Sequence, residues 1–373
     1  MVRPLIIGVA SFLFALYPVE ARLVSGKVGT SGPSIYAFMP ASTAALGLGH
    51  TGVITVAPGS EWANPALSIM SDSNERCTLY GTPFGLTYPE LDDDASYQHY
   101  SLTYRLKVAS LCGYPVRLST SFAHTRYTSG LYLETTYDGY AGGTYREKIR
   151  SYQVSTALAT DFGPEIALGG TVRYITEDLA DWDVSGWGCD FGAMLRAPLS
   201  RWIGGNEAPV LIRPAVAVAW NNMGLKFDLE PFGEFDSPTN RSMGISLEIA
   251  ALDRNQPFIQ KTIGLTINYS GTKLLNVNDS TSYGVGAELC LVEALYLRLG
   301  KAFYHPYEPT TYGFELDSDG LRMLLASLSD HEAKKWLSEQ LSGRHIRLSI
   351  AYSTHGGDTV FDDGSLVSIA LKY

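Results

Sequence analysis

Basic residues are scarce in this sequence: 28 Lys and Arg stand against 38 Asp and Glu, a net charge of −10. No basic run interrupts that balance, which argues against a nucleic-acid partner. Cysteine is scarcer still. Cys77, Cys112, Cys189 and Cys290 are too few and too widely spaced for a disulfide scaffold, and they lack metal-ligand spacing. Catalytic constellations are also missing. His331-Glu332 is followed by Lys335 where a zinc helix needs its second His, and no G-x-S-x-G elbow or phosphate loop occurs. His99, His124 and His345 have polar neighbours but no convincing Ser–His pair. The reading is therefore no enzyme, no metal and no cofactor. After residue 21 there is also no apolar run long enough for a membrane helix. Strands escape that test, because they alternate apolar and polar residues.

What is present begins with an export signal. Arg3 supplies a positive start, Leu5 to Tyr17 is an apolar run, and Val19-Glu20-Ala21 offers small residues for cleavage. Residues 1–21 are read as a signal peptide, with the mature chain starting near Arg22. The composition is rich in Gly (37), Tyr (23) and Phe (14), and only 18% of residues are charged.

From about residue 76 the chain falls into segments of period-2 alternation. Tyr100, Leu102, Tyr104, Leu106 and Val108 form one face; Ser101, Thr103, Arg105, Lys107 and Ala109 form the other. Met243-Ile245-Leu247-Ile249 and Ile346-Leu348-Ile350-Tyr352 repeat the pattern. A soluble sandwich also alternates. Three features favour a membrane barrel: aromatics gather near segment ends, polar faces carry small residues and single charges, and the chain ends on a strand. Val367, Ile369, Leu371 and Tyr373 alternate with Ser368, Ala370 and Lys372. An apolar strand with a terminal aromatic resembles the signal read by outer-membrane barrel-insertion machinery. Turns and alternation together predict fourteen strands over residues 76–373, an even number as single-chain bacterial barrels require. Tight turns at Leu111–Tyr114, Asp161–Pro164 and Glu293 are placed on the periplasmic side. Longer stretches at Thr128–Tyr145, Lys226–Arg241 and Thr354–Gly364 are placed outside.

One connection breaks that rule. Residues 318–343 read as a helical hairpin, with Leu321, Leu324, Leu325 and Leu328 at helical spacing and Ser329 with Glu332 as a capping box. It serves either as a packed cover for the barrel base or as a docking site for a periplasmic partner.

Residues 22–75 do not alternate. They contain Gly47-Leu48-Gly49-His50-Thr51-Gly52, then Trp62-Ala63-Asn64-Pro65-Ala66. A Gly-rich stretch followed by Asn-Pro-Ala and a barrel resembles FadL-like outer-membrane proteins, including the PorV group and spirochaetal FadL-like proteins. The resemblance implies a fourteen-stranded barrel whose N-terminal segment folds back as a lumen plug. It also implies transport of hydrophobic small molecules, long-chain fatty acids first, or a PorV-like role in docking secreted proteins. Ser60 is read as capping a short helix through Trp62–Leu67, with Pro65 beyond the position where it is best tolerated.

Assigning polar faces to the lumen places Arg105, Lys107, Arg117, Arg173, Arg213, Arg298 and Arg347 inward, against Glu248 and Glu288. That lining is basic. Either these cations pair with wall groups and plug groups such as Glu61 and Asp72, or they attract an anionic headgroup, as the resemblance implies for a fatty-acid carboxylate. Finally, Cys77 and Cys112 fall at neighbouring ends of the first two strands and form a candidate disulfide. The expected setting is the bacterial outer membrane, with lipid around the barrel.

Overall fold

Period-2 segments leave half of each strand's side chains on either face, and fourteen such strands can hide every backbone donor only by closing on themselves. The computed structural model has that form. It describes residues 41–70, 75–83, 86–87, 96–111, 113–128, 132–135, 141–145, 147–179, 182–200, 210–229, 233–237, 239–252, 261–275, 281–303, 308–318, 320–321, 346–356 and 365–373. Strand β1 is broken into Cys77–Gly81 and Leu86–Thr87. Then come β2 (Ser96–Leu111), β3 (Tyr114–Thr128), β4 (Lys148–Asp161), β5 (Glu165–Leu179), β6 (Trp182–Arg196) and β7 (Val210–Met223). The second half holds β8 (Thr239–Leu252), β9 (Lys261–Leu275), β10 (Thr281–Leu291), β11 (Leu295–Phe303), β12 (Thr310–Asp317), β13 (Arg347–Gly356) and β14 (Ser365–Lys372). Each pairs antiparallel with the next, and β1 pairs with both β2 and β14 to close the sheet. The expected fourteen-stranded antiparallel barrel is the fold.

Closure is tied at the last residue. The Arg76 and Cys77 amides donate to the Tyr373 carbonyl at 2.6 and 2.9 Å, and the Tyr373 amide donates to the Cys77 carbonyl at 2.8 Å.

The outer face is apolar. Tyr100, Leu102, Tyr104, Leu106 and Val108 are 41–49% exposed, and around the barrel Leu158, Leu168, Val172, Ile245, Ile267, Leu299 and Ile350 are 45–60% exposed. A soluble monomer does not expose a contiguous apolar surface of that extent. Facing lipid, it is buried. His124 belongs to this face, stacked on Tyr152 with ring centroids 4.7 Å apart.

Connection lengths depart from the expected two-sided rule. Among the short turns, Leu111–Tyr114, Asp161–Glu165 and Leu291–Leu295 do share one end of the barrel, here the turn end. The β6–β7 and β8–β9 connections lie at that same end and are longer. At the opposite, loop end, β5 and β6 are joined with Leu179 directly opposite Trp182. Two ribbons extend from the loop end: Tyr132–Thr135 with Ala141–Tyr145, and Lys226–Leu229 with Gly233–Asp236. The expected signal peptide (residues 1–21), residues 22–40 and most of the expected helical hairpin at 318–343 lie outside the described residues.

The proposed Cys77–Cys112 disulfide does not fit the register. Cys77 stands opposite Tyr104 and its thiol is free. Cys112 itself lies outside the described residues, but it follows Leu111, seven residues along β2 from Tyr104. At roughly 3.3 Å per residue that sets Leu111 about 23 Å along the strand from the level of Cys77.

Candidate functional site

Inside the barrel, residues 41–70 form a compact lumenal segment. Ser42 caps a five-residue helix, α1 (Thr43–Gly47), by accepting from the Ala45 amide. Two 3₁₀ turns follow, Ser60–Trp62 and Pro65–Ile69. This corrects the expected single helix from Ser60: Gly59, with φ 82°, precedes the first turn, and Asn64 caps the second. Pro65 is then the first residue of its turn, where a missing amide hydrogen costs nothing.

Asn64 is fully buried and uses both ends of its carboxamide. Its Oδ1 accepts from the Ala66 amide at 3.1 Å. Its Nδ2 donates to the Val53 carbonyl at 2.9 Å and to the Ala193 carbonyl of β6 at 3.4 Å. One side chain thus ends a loop, starts a turn and fastens both to the wall.

The wall accepts the segment through glycines. A Cβ on Gly284 or Gly286 would strike the Gly49 or Leu48 carbonyl, and one on Gly300 would strike the Gly49 amide. Across the lumen, Gly192 faces Asn64, and Gly169 lies under Pro65 and Ala66. Gly49 itself has φ 69° and sits against the carbonyls of Val285 and Lys301. Gly47 packs on Ser353 and Arg298, and Gly52 packs on Ala63 and Ala45. The sequence reading credited only the segment's glycines; those of the wall are equally required.

Trp62 lies between two wall groups. The Arg173 guanidinium is 4.1 Å from its ring centroid, and His99 meets it edge-on at 5.9 Å. His99 is buried with Nδ1 2.9 Å from the Thr125 hydroxyl. Arg173 donates to Asp190 at 2.5 Å and to Asn222 Oδ1 at 3.2 Å.

Five further arginines are paired in a belt near the turn end. Arg213 binds Glu248, which also holds Lys261. Arg298 bridges Glu288 and Glu315 at 2.7 and 2.5 Å. Arg347 donates to Asp317 at 2.7 Å and lies 3.7 Å from Glu75, which also faces Arg105 and Lys372. Arg196 pairs with Glu165. Arg105 additionally donates to the Ser68 carbonyl at 2.7 Å, joining wall to segment. Arg117 is half-buried on β3, opposite exposed Lys107. The expected basic lining is therefore corrected to a charge-paired one. The missed carboxylates, Glu165, Asp190, Glu315 and Asp317, sit on inward positions of their strands, so alternation alone could have found them.

Two cavities border the segment. One of about 100 Å³ lies toward the loop end, between Trp62 and Val53 on one side and Asn221, Asn240, Ser242, Ser270 and Tyr283 on the other. A second, of about 190 Å³, lies toward the turn end and is lined by the charge belt together with Ile54, Leu67 and Met70. Above the segment the inner wall carries an apolar cluster, with the buried carboxylates Glu147 and Glu177 beside it. Tyr97, Tyr127, Ile149, Ile175, Val184 and Leu366 form one buried cluster with Trp62 and with Leu225 and Phe227 beside the second ribbon. No group of three or more potential metal ligands occurs among the described residues.

No family model matches the chain, and no curated protein matches it. Solved structures do. The Ralstonia pickettii toluene transporter TbuX superposes with a TM-score of 0.54 at 10% identity, over 90% of this chain and 99% of that one. The Pseudomonas putida toluene transporter TodX gives 0.46 at 10% identity, over 89% and 96%. A Pseudomonas aeruginosa FadL homologue gives 0.41 at 10% identity, over 89% and 98%. A closed barrel with the strand number and lipid-facing surface described above, matched to TbuX along nearly its whole length, gives this chain the FadL-like β-barrel fold.

Proposed function

We propose that this barrel transports hydrophobic small molecules across the outer membrane, with residues 22–75 acting as its plug. The observation that carries the reading is the apolar inner wall at the loop end, where a polar lining would be the rule for a water-filled channel. Tyr97, Tyr127, Ile149, Ile175 and Leu366 face the lumen directly above the segment. The structural neighbour TbuX is a toluene transporter, which supports the same cargo class.

The finer expectation was a long-chain fatty acid held by lumen arginines. Arg173, Arg213, Arg298 and Arg347 already have carboxylate partners within the wall, so a ligand carboxylate would compete with a built ion pair. The cavities are also small: an engineered cavity of about 150 Å³ holds one benzene. Both points favour compact, uncharged hydrophobic cargo over long-chain acids. A surface-docking role would use the outer ribbons, but Leu225 and Phe227 beside the second one turn into the lumen.

Proteoliposomes holding the purified barrel test this directly. Radiolabelled toluene and palmitate are offered outside, and accumulation is compared with protein-free vesicles. Faster toluene entry that Ile175→Asp slows is the expected result. Equal rates with and without protein for both compounds would overturn the proposal.

A further inference from the structure

The two cavities lie on the same side of the lumen, and the wall between them is polar. On β8, Asn240 and Ser242 line the loop-end cavity and Ser246 lines the turn-end one. On β9, Thr272 and Ser270 line the first, and Asn268 and Thr266 line the second. These residues occupy alternate, inward positions and face one another in register, Ser242 opposite Thr272 and Ser246 opposite Asn268. Gly59 of the lumenal segment borders both cavities. Every side chain in this stripe is an uncharged hydroxyl or carboxamide.

The stripe is interrupted once. Gly244 lies between Ser242 and Ser246, and Val53 and Ile54 press onto it so closely that an added Cβ would sit 2.8 Å from Ile54 Cβ and 2.9 Å from Val53 Cγ1. Below this contact Asn268 Nδ2 donates to Thr55 Oγ1 at 3.1 Å, while its buried Oδ1 has no partner. Above it the Asn221 Oδ1 and Ser60 Oγ atoms, both buried beside the loop-end cavity, are likewise unpartnered. Buried polar atoms of this kind are normally satisfied by water. The opposite side of the segment is different. There Leu67, Ile69 and Met70 pack on Ala157, Ala159, Ala167 and Met194 in a continuous apolar contact.

We propose that the seam between the segment and strands β8 and β9 is a hydrated passage for water and small neutral polar solutes, closed by Val53 and Ile54 against Gly244. It is a second route, chemically distinct from the apolar wall above Trp62, and it does not depend on the cargo assigned to that wall. A stripe of hydroxyls and amides replaces the hydrogen bonds a solute gives up on leaving water. Between the cavities the stripe carries no charge, Glu248 and Lys261 beginning only in the turn-end cavity, and this neutral stretch favours neutral solutes over ions.

Swelling of proteoliposomes in isosmotic glycerol reads the passage. Val53→Ala/Ile54→Ala should raise the swelling rate severalfold over the unmodified barrel. Ile69→Ala, which trims the apolar side at a residue bordering neither cavity, should leave it unchanged. Adding Asn268→Leu to the Val53/Ile54 variant keeps the side-chain size but removes its polarity, and should return swelling to the starting rate. Heat-modifiable gel mobility confirms that each variant is a folded barrel. If Ile69→Ala accelerates swelling as much, the leak is general loosening and the proposal fails. Persistent swelling with Asn268→Leu overturns it equally.

Discussion

At the scale of single residues, Asn64 and Glu61 are the most informative. Asn64→Ala removes the acceptor for the Ala66 amide and the donor to the Val53 carbonyl. Loss of such a cap costs about 0.5–2 kcal/mol, and an abandoned buried carbonyl adds to it. Protease cleavage within residues 41–70 of the folded barrel should become correspondingly faster. Glu61 is buried beneath Trp62, and burial raises its carboxyl above the ordinary 4.5, outweighing hydrogen bonding from Ser101 and the charge of Arg105. The seated segment therefore binds a proton that the unseated one releases. Its contribution is fully present below the ordinary value and is lost as pH climbs from there through the raised one. Protease resistance of the segment should fall over that window, and Glu61→Gln should flatten the dependence.

At the scale of elements, neighbouring side chains on β11 feel opposite solvents. Arg298→Ala strands Glu288 and Glu315 inside the lumen without their shared cation. Breaking a buried pair in this way costs about 3–5 kcal/mol, which a urea titration in lipid vesicles would register. Leu299 points the other way and is 60% exposed to the membrane side. Leu299→Arg should cost roughly 2–4 kcal/mol in the same titration, the range for a cation on the lipid face near mid-depth. This two-sidedness is why the strands were legible in sequence: lipid enforces alternation at every second position. The arginines' inward direction followed from the same rule. Which carboxylate meets which arginine did not, because Glu315 reaches Arg298 diagonally while Glu288 stands directly opposite, and only register distinguishes such cases. The wall glycines were silent for another reason. Gly192 and Gly284 carry no side chain to signal what approaches them. The apolar loop-end lumen was hidden because Tyr127 and Ile149 are apolar on the face that alternation reserves for polar groups.

At the scale of the whole molecule, the barrel separates three environments. Lipid meets aliphatic and aromatic side chains, the loop-end lumen holds an apolar cluster, and the turn-end lumen holds most of the ion pairs. The fold was readable because the first environment spans the full length of every strand. Function was less so, because the second and third depend on which inward residues share a level. The charge belt has one further consequence, for assembly. A strand that slips by one residue turns its whole apolar set away from the lipid, and the membrane itself rejects the error. A slip of two residues restores the faces, so the bilayer is blind to it. Glu165 with Arg196, Arg213 with Glu248, and Glu288 with Arg298 are directly opposed across β5–β6, β7–β8 and β10–β11. A two-residue slip moves such partners about 7 Å apart along the strands and breaks the pair. The ion pairs thus proofread the hairpins for the one mistake that lipid cannot detect.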